Sequence, residues 1–386
     1  MAVALLAAGL LVAAANAAAS AGPSPDLPRP AVLEPDIRFW VDVYTQAASD
    51  GGYLHDPDDL DIVYHQLRFP AGADPALREQ LVEDLRQRYR DALLQLAGEH
   101  PEPGIDARRI APLFGESATP GRFLRAAQTL RFQQGQADRF RDGLRRAGAY
   151  RAYIKAELER QGLPTDLAAL PHVESSYNPA AGSHAGAMGL WQFMPATGRQ
   201  YLRIDAAVDE RLDPWRATEA AVRLLQYNHR VLGTWPLALT AYNRGAAGMR
   251  RARDVVGSDD IARIVREYRE PGFGFASRNF YVSFLAALQV DRDPDRYFGA
   301  LTPLAPTVFH EVELPVDAPL PRLVRVLKVE LRLLRELNPA LRPAVWRGRL
   351  AVPRGYRLRL PALLPAWTPA QLADSLARDG DSGPRP

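Results

Sequence analysis

Between Leu170 and Gly198 the chain reads LPHVESSYNPAAGSHAGAMGLWQFMPATG, with one carboxylate, Glu174, near its start and no other Asp or Glu before Asp205. Serine, asparagine, glutamine and aromatic side chains surround that acid in sequence. Hydroxyl-rich ligands need a few directional polar partners on an otherwise apolar wall, and a pyranose ring needs a flat apolar one. Glu174 falls near the C-terminal end of an expected helix, Leu167–Ser175, capped by Thr165-Asp166 and with Leu167, Leu170 and Val173 on its apolar side. The negative end of a helix dipole and apolar neighbours both oppose ionisation. A carboxyl held protonated in this way is suited to general acid chemistry near neutral pH.

Other elements must be folded back onto this acid. Asn178-Pro179 makes a turn, and the small residues of 180–189 let backbone approach a ligand closely. Gly189-Leu190-Trp191-Gln192-Phe193-Met194-Pro195 is expected to start a new helix. Asp213-Pro214 caps another running to about Val231. Trp235–Tyr242 forms a further helix ending in Ala-Tyr-Asn-Arg-Gly (241–245), and Asn279-Phe280-Tyr281 opens a last one to about Val290. Leu190 and Trp191 read as core; Phe193 and Met194 read equally well as core or as ligand contacts. Asn243 also suits a helix C-cap.

These motifs, in this order, resemble a family. Glu174-Ser175 is followed by Gly-Leu-Trp-Gln (189–192), where the family has Gly-Leu-Met-Gln. Ala-Tyr-Asn-Arg-Gly (241–245) stands where it has Ala-Tyr-Asn-Ala-Gly, and Tyr281 precedes an apolar helix. Residues 150–290, about a third of the chain, thus resemble the catalytic domain of the bacterial soluble lytic transglycosylases (SLT), most nearly the membrane-bound lytic transglycosylase D group. The resemblance implies a mainly α protein with a goose-type-lysozyme-like helical catalytic domain. It implies non-hydrolytic cleavage of the β-1,4 bond between N-acetylmuramic acid and N-acetylglucosamine, leaving 1,6-anhydromuramyl ends. Glu174 would be the single acid/base. Ser183 would lie near the N-acetyl group, Gln192 and Asn243 would bind sugar amides or hydroxyls, Tyr242 and Tyr281 would line the cleft, and Met194 would pack its floor.

Glycosidases that employ water or a covalent intermediate generally need two carboxylates. The span 175–204 offers none, but Asp205, Asp209 or Asp213 could be brought in by the fold. A hydrolytic muramidase on the same fold and a non-catalytic peptidoglycan-binding scaffold are therefore the alternatives. No cofactor is implied. His172 and His184 have no second ligand at metal-binding spacing, and His55–Asp61 lacks the central glycine and distal glutamate of a calcium loop, so no metal is assigned.

The 386 residues can bury a large core and support several domains. A net charge of +3 is too small to argue for nucleic acid, and all but two of the 48 basic residues are arginine. Cysteine is absent, which excludes a disulfide framework, a thiol nucleophile and lipid anchoring through cysteine. Residues 1–21 have the apolar run and small-residue ends of a signal peptide, which places the protein outside the cytoplasm in the periplasm or cell envelope. Its expected partner is the glycan strand, with peripheral association to wall or outer membrane as a further option. A linker (22–36) leads to a helical N-terminal domain (37–148), with a helix entered ahead of Leu60, Ile62, Val63 and Leu67 and another over Gly121–Gln134. The catalytic domain spans 149–291 and a linker 292–306. A small α+β module (307–362), strand–helix–helix–strand, resembles the peptidoglycan-binding LysM fold, although it lacks that module's early Gly-Asp-Thr/Ser-Leu signature. A partly disordered tail (363–386) ends the chain.

Overall fold

The computed structural model describes residues 26–98 and 102–381; the expected signal peptide lies outside the described residues. The fold is mainly helical with two small sheets, in agreement with the sequence. The chain from Leu27 to Leu33 is no free linker. Both leucines are buried, and Arg29 binds Glu34 and Gln289. Helix α1 (Glu34–Thr45) follows and lies along a much later helix, burying Ile37, Phe39, Trp40, Val43 and Tyr44.

Two segments expected to be helical are strands. β1 (Gly51–His55) pairs with β2 (Val63–Arg68) in antiparallel fashion. Leu60, Ile62 and Tyr64 are the buried residues there, a period of two rather than of a helical turn. Asp56 caps no helix. Its carboxylate accepts from the Asp58 and Asp59 amides and from Tyr64, and pairs with Arg122. Helices α2 (Pro75–Ala97), α3 (Ile105–Ile110) and α4 (Pro120–Thr129) pack beside the sheet. α4 stops short of the expected Gln134 because β3 (Arg131–Gln134) turns away to take the other edge of β1. Gly52 is required there: a Cβ would come within 2.2 Å of the Gln133 carbonyl.

Helices α5 (Ala137–Ala147) and α6 (Arg151–Arg160) lead to α7 (Leu170–Ser175) and the four-residue α8 (Pro195–Gly198). Then come α9 (Pro214–Leu232), α10 (Trp235–Arg244), α11 (Ala246–Val256), α12 (Ile261–Glu267), α13 (Phe275–Arg292) and α14 (Pro294–Phe298). One apolar core runs from Leu27 to Val290. Within it α1 and α5 contribute Tyr44, Phe140 and Leu144 beside Leu170, Trp191 and Phe284, so a single core crosses residue 148.

The C-terminal module has β4 (Phe309–Glu313), α15 (Leu320–Leu327), α16 (Leu331–Leu337), α17 (Pro343–Trp346) and β5 (Arg357–Pro361), the two strands pairing antiparallel. Within the expected tail, α18 (Pro369–Asp381) closes the module, because Leu372 and Leu376, one turn apart, are buried in its core; residues 382–386 lie outside the described residues. No helix of the described residues is long and apolar enough to cross a membrane.

Candidate active site

Glu174 lies one residue from the end of α7, behind a short 3-10 turn over Thr165–Ala169. The chain then makes an abrupt exit: Ser176 and Tyr177 both adopt positive φ, at 50° and 56°. Non-glycine residues accept that region only when the surroundings hold them there. Here the Ser176 carbonyl accepts from the Arg146 guanidinium, and the buried Tyr177 hydroxyl donates to the Ala168 carbonyl. Gly143 of α5 permits this contact, since a Cβ there would stand 2.8 Å from the Ser176 oxygen. On the far side of α7, His172 stacks on Phe140 and donates from Nε2 to Asp291 at 2.7 Å. Burial lowers the His172 pKa, so the neutral ring is the favoured form. It props the helix and faces the core, and no group of residues able to hold a metal is found among the described residues.

The Glu174 carboxyl is half-buried and makes no hydrogen bond or ion pair among the described residues. Its pKa is raised to about 8, and loss of solvation is the only cause. Among the described residues no cation and no second carboxylate contributes to that shift. Two phenols do sense its charge. Burial raises both tyrosine pKa values, and the Glu174 charge raises them further: Tyr242 of α10 and Tyr44 of α1. Helices α1, α7 and α10 each pack against α13, so four helices meet around this segment. Sequence reasoning missed Tyr44. It sits in the stripe Ile37, Val41, Tyr44, Ala48, which reads as core packing, and nothing local distinguishes its hydroxyl.

The Gly-Leu-Trp-Gln segment is a turn, and the helix expected from Gly189 begins only at Pro195. Antiparallel bridges Gly182–Met188 and Met188–Phe193 fold residues 182–193 into a compact loop. Gly189, at φ 81°, lies so close to the Arg211 carbonyl that a Cβ would stand 1.8 Å from it. Gln192 is held at φ 47°, and its amide nitrogen donates to the Gly189 carbonyl at 2.9 Å. Trp191 is fully buried and donates to Thr218, a core role as expected. The Tyr242 hydroxyl donates to the Trp191 carbonyl at 2.9 Å, joining α10 to this turn. Ser183 is exposed, and its Oγ accepts from the Ala187 amide. Met194 is 42% exposed. Asn243 lies inside α10, exposed, and accepts from Ser277 of α13. Tyr281 is different: it is wholly buried, and its hydroxyl donates to the Pro28 carbonyl at 2.6 Å.

The three acids left open by the sequence are all engaged elsewhere. Asp205 pairs with Arg203 and accepts from two backbone amides. Asp209 pairs with Arg211 and Arg342. Asp213 caps α9 and pairs with Arg359.

A half-buried carboxyl without a hydrogen-bond partner among the described residues, on a mainly helical frame, is an arrangement suited to general acid chemistry. Residues 151–265 match the family model described as Transglycosylase SLT domain. Over 109 residues it is 37% identical to membrane-bound lytic murein transglycosylase D of Escherichia coli (strain K12), covering 28% of this chain and 24% of that protein. It is 39% identical over 109 residues to a protein of Alteromonas sp. (strain M-1) named for tributyltin chloride resistance, covering 28% of this chain and 53% of that one. The chain thus spans between about a quarter and about half the length of these curated relatives. Among solved structures, the 70 kDa soluble lytic transglycosylase of Escherichia coli is similar at 21% identity and a TM-score of 0.33, over 58% of this chain and 37% of that chain.

Proposed function

We propose that this protein is a peptidoglycan lytic transglycosylase acting in the cell envelope, with Glu174 as its single acid/base. The observation that carries the reading is the electrostatic isolation of Glu174, whose pKa of about 8 has desolvation as its only cause. A retaining glycosidase places a second carboxylate about 5–5.5 Å away, and a like charge at that range would push the pKa up by itself. Protonated at neutral pH, Glu174 donates to the glycosidic oxygen as the C1–O4 bond breaks. The carboxylate so formed accepts the proton of the muramyl C6 hydroxyl as O6 closes on C1. One bond breaks, one forms, the proton returns to Glu174 and no water is consumed.

Ser183, Gln192, Met194, Tyr242 and Asn243 are the proposed substrate contacts, and the relatives' names support peptidoglycan as the polymer. Tyr281 is a weaker candidate for the cleft, because the Pro28 carbonyl already occupies its hydroxyl.

The product tests the reading. Purified sacculi are digested and the fragments weighed: anhydro ends are about 18 Da lighter than the reducing ends of hydrolysis, the difference being one water. Anhydro ends are expected. Reducing ends alone would make the protein a hydrolytic muramidase, and undigested sacculi would make it a binding scaffold.

A further inference from the structure

The C-terminal module is spliced into the catalytic part at the residues that hold the active-site loop. Val208 and Leu341 form an antiparallel bridge, the Asp209 amide donates to the Ala340 carbonyl at 2.8 Å, and the Arg342 amide donates to the Ala207 carbonyl at 2.8 Å. Val208 belongs to the module's core rather than to the catalytic one. The Asp209 carboxylate, 4% exposed, is shared: Arg211 grips it through Nε and Nη2 at 2.9 and 2.8 Å, and Arg342 of the module reaches it at 3.0 Å. The remaining arm of Arg211 turns the other way. Its Nη1 donates to the Gly186 carbonyl at 2.8 Å and the Phe193 carbonyl at 3.2 Å, at the two ends of the turn that carries Gln192. The Phe193 carbonyl also accepts from the Met188 amide, so the guanidinium braces the bridge that closes the loop.

A planar guanidinium fixed by a bidentate carboxylate presents its other hydrogens in one set direction. Whatever orients Asp209 therefore orients the loop clamp. We propose that the C-terminal module is a positioning device for the active-site loop, acting through Arg342, Asp209 and Arg211. The proposal rests on the reading of Glu174 as the acid only for its effect on turnover. The mechanical link from module to loop stands without it.

Two ion pairs of the same interface separate this role from simple docking. Arg342→Ala cuts the link at Asp209. Glu311→Gln cuts the pairing of Glu311 with Arg216, Arg357 and Arg359, none of which touches the loop clamp. Hydrogen exchange of the full-length chain is followed at the bonded amides of Ser183, Met188, Gly189 and Gln192, together with KM and kcat on sacculi. In Arg342→Ala, loop exchange should rise about tenfold and KM severalfold, while amides of β4 and β5 stay protected. Arg342→Lys should restore most of both, and Glu311→Gln should leave the loop unchanged. Equal loop exchange in Arg342→Ala and the parent protein would overturn the proposal, as would an equal rise in Glu311→Gln. A loosened loop in a protein that never digests sacculi would uphold the link and reject the catalytic reading instead.

Discussion

The Ser175 hydroxyl donates to the Leu190 carbonyl at 2.8 Å, fastening the residue beside the candidate acid to the turn that carries Gln192. The same oxygen accepts from the Asn178 amide and lies 3.3 Å from the Pro171 carbonyl, so one hydroxyl joins α7, its exit and the loop. The Glu-Ser pair is thus an acid and its anchor. Ser175→Ala leaves the carbonyl of fully buried Leu190 without this donor, which costs about 1–3 kcal/mol of stability. Chemical denaturation should register that loss, with turnover falling about tenfold or more as the loop drifts from Glu174. A variant as active and as stable as the parent would show that the loop is held by other means.

The pKa of about 8 at Glu174 fixes the sign of two pH effects. An acid must be protonated to donate, so kcat/KM should decline as pH rises through about 8. For stability, the unfolded carboxyl titrates near 4.5, so between that value and about 8 the native state binds one proton more than the unfolded chain. This contribution is fully present below about 4.5 and is lost as pH climbs through the window to about 8. Glu174→Gln cannot titrate. Its turnover should fall by at least ~10²–10⁴-fold, and urea unfolding should find it gaining on the parent from acid to alkaline pH. A constant stability difference across that range would mean that the carboxyl is not desolvated.

Tyr44 and Tyr281 make a controlled pair. The Tyr44 ring packs on Phe140 at 4.9 Å, so Tyr44→Phe preserves the packing and removes the hydroxyl that sits in the field of Glu174. The expected result is a drop in kcat of about threefold to tenfold, the scale of one hydrogen bond, with the alkaline limb of the pH profile shifted. Tyr281→Phe removes only the bond to the Pro28 carbonyl. It should lower stability by about 1 kcal/mol and leave kcat as it was. Reversed outcomes would exchange the two roles.

Much of the site was legible because its chemistry is local. Glu174 is the only acid of a long segment, and its environment follows from the apolar residues around it. The sequence suggests a helix start at Gly189 where the structure has a turn, because the Arg211 carbonyl that forbids a side chain there lies 22 residues on. The helical spacing of Ile37, Val41, Tyr44 and Ala48 fits α1, yet it says nothing about which buried residue lies near the acid, so Tyr44 reads as core. The β1–β2 hairpin was mistaken because Leu60, Ile62, Val63 and Leu67 satisfy a helical spacing nearly as well as the alternation that the sheet employs. Asp213 is legible as the cap of α9, and Asp205 is held by its neighbour Arg203. The ion pairs of Asp209 and Asp213 are not legible, because their partners Arg342 and Arg359 lie more than a hundred residues away in the docked module.

Arg359 is the extreme case of that docking and yields the last prediction. It is 1% exposed in β5, pairs with Asp213, and lies over the rings of Trp215 at 4.5 Å and Phe309 at 5.0 Å. A guanidinium in such surroundings is held by its partner and by the aromatic faces. Taking it away leaves Asp213 buried without its ion-pair partner, its carboxylate still accepting from the Trp215 and Arg216 amides. Arg359→Met should therefore cost about 3–5 kcal/mol of stability. The loss should be partly recovered by combining it with Asp213→Ser, which keeps a hydroxyl able to cap α9 while removing the stranded charge. Denaturant unfolding of the single and double variants measures the difference. A double variant more stable than the single one traces the loss to the unpaired carboxylate, whereas two equal values would assign it to the packing of Arg359 between Trp215 and Phe309.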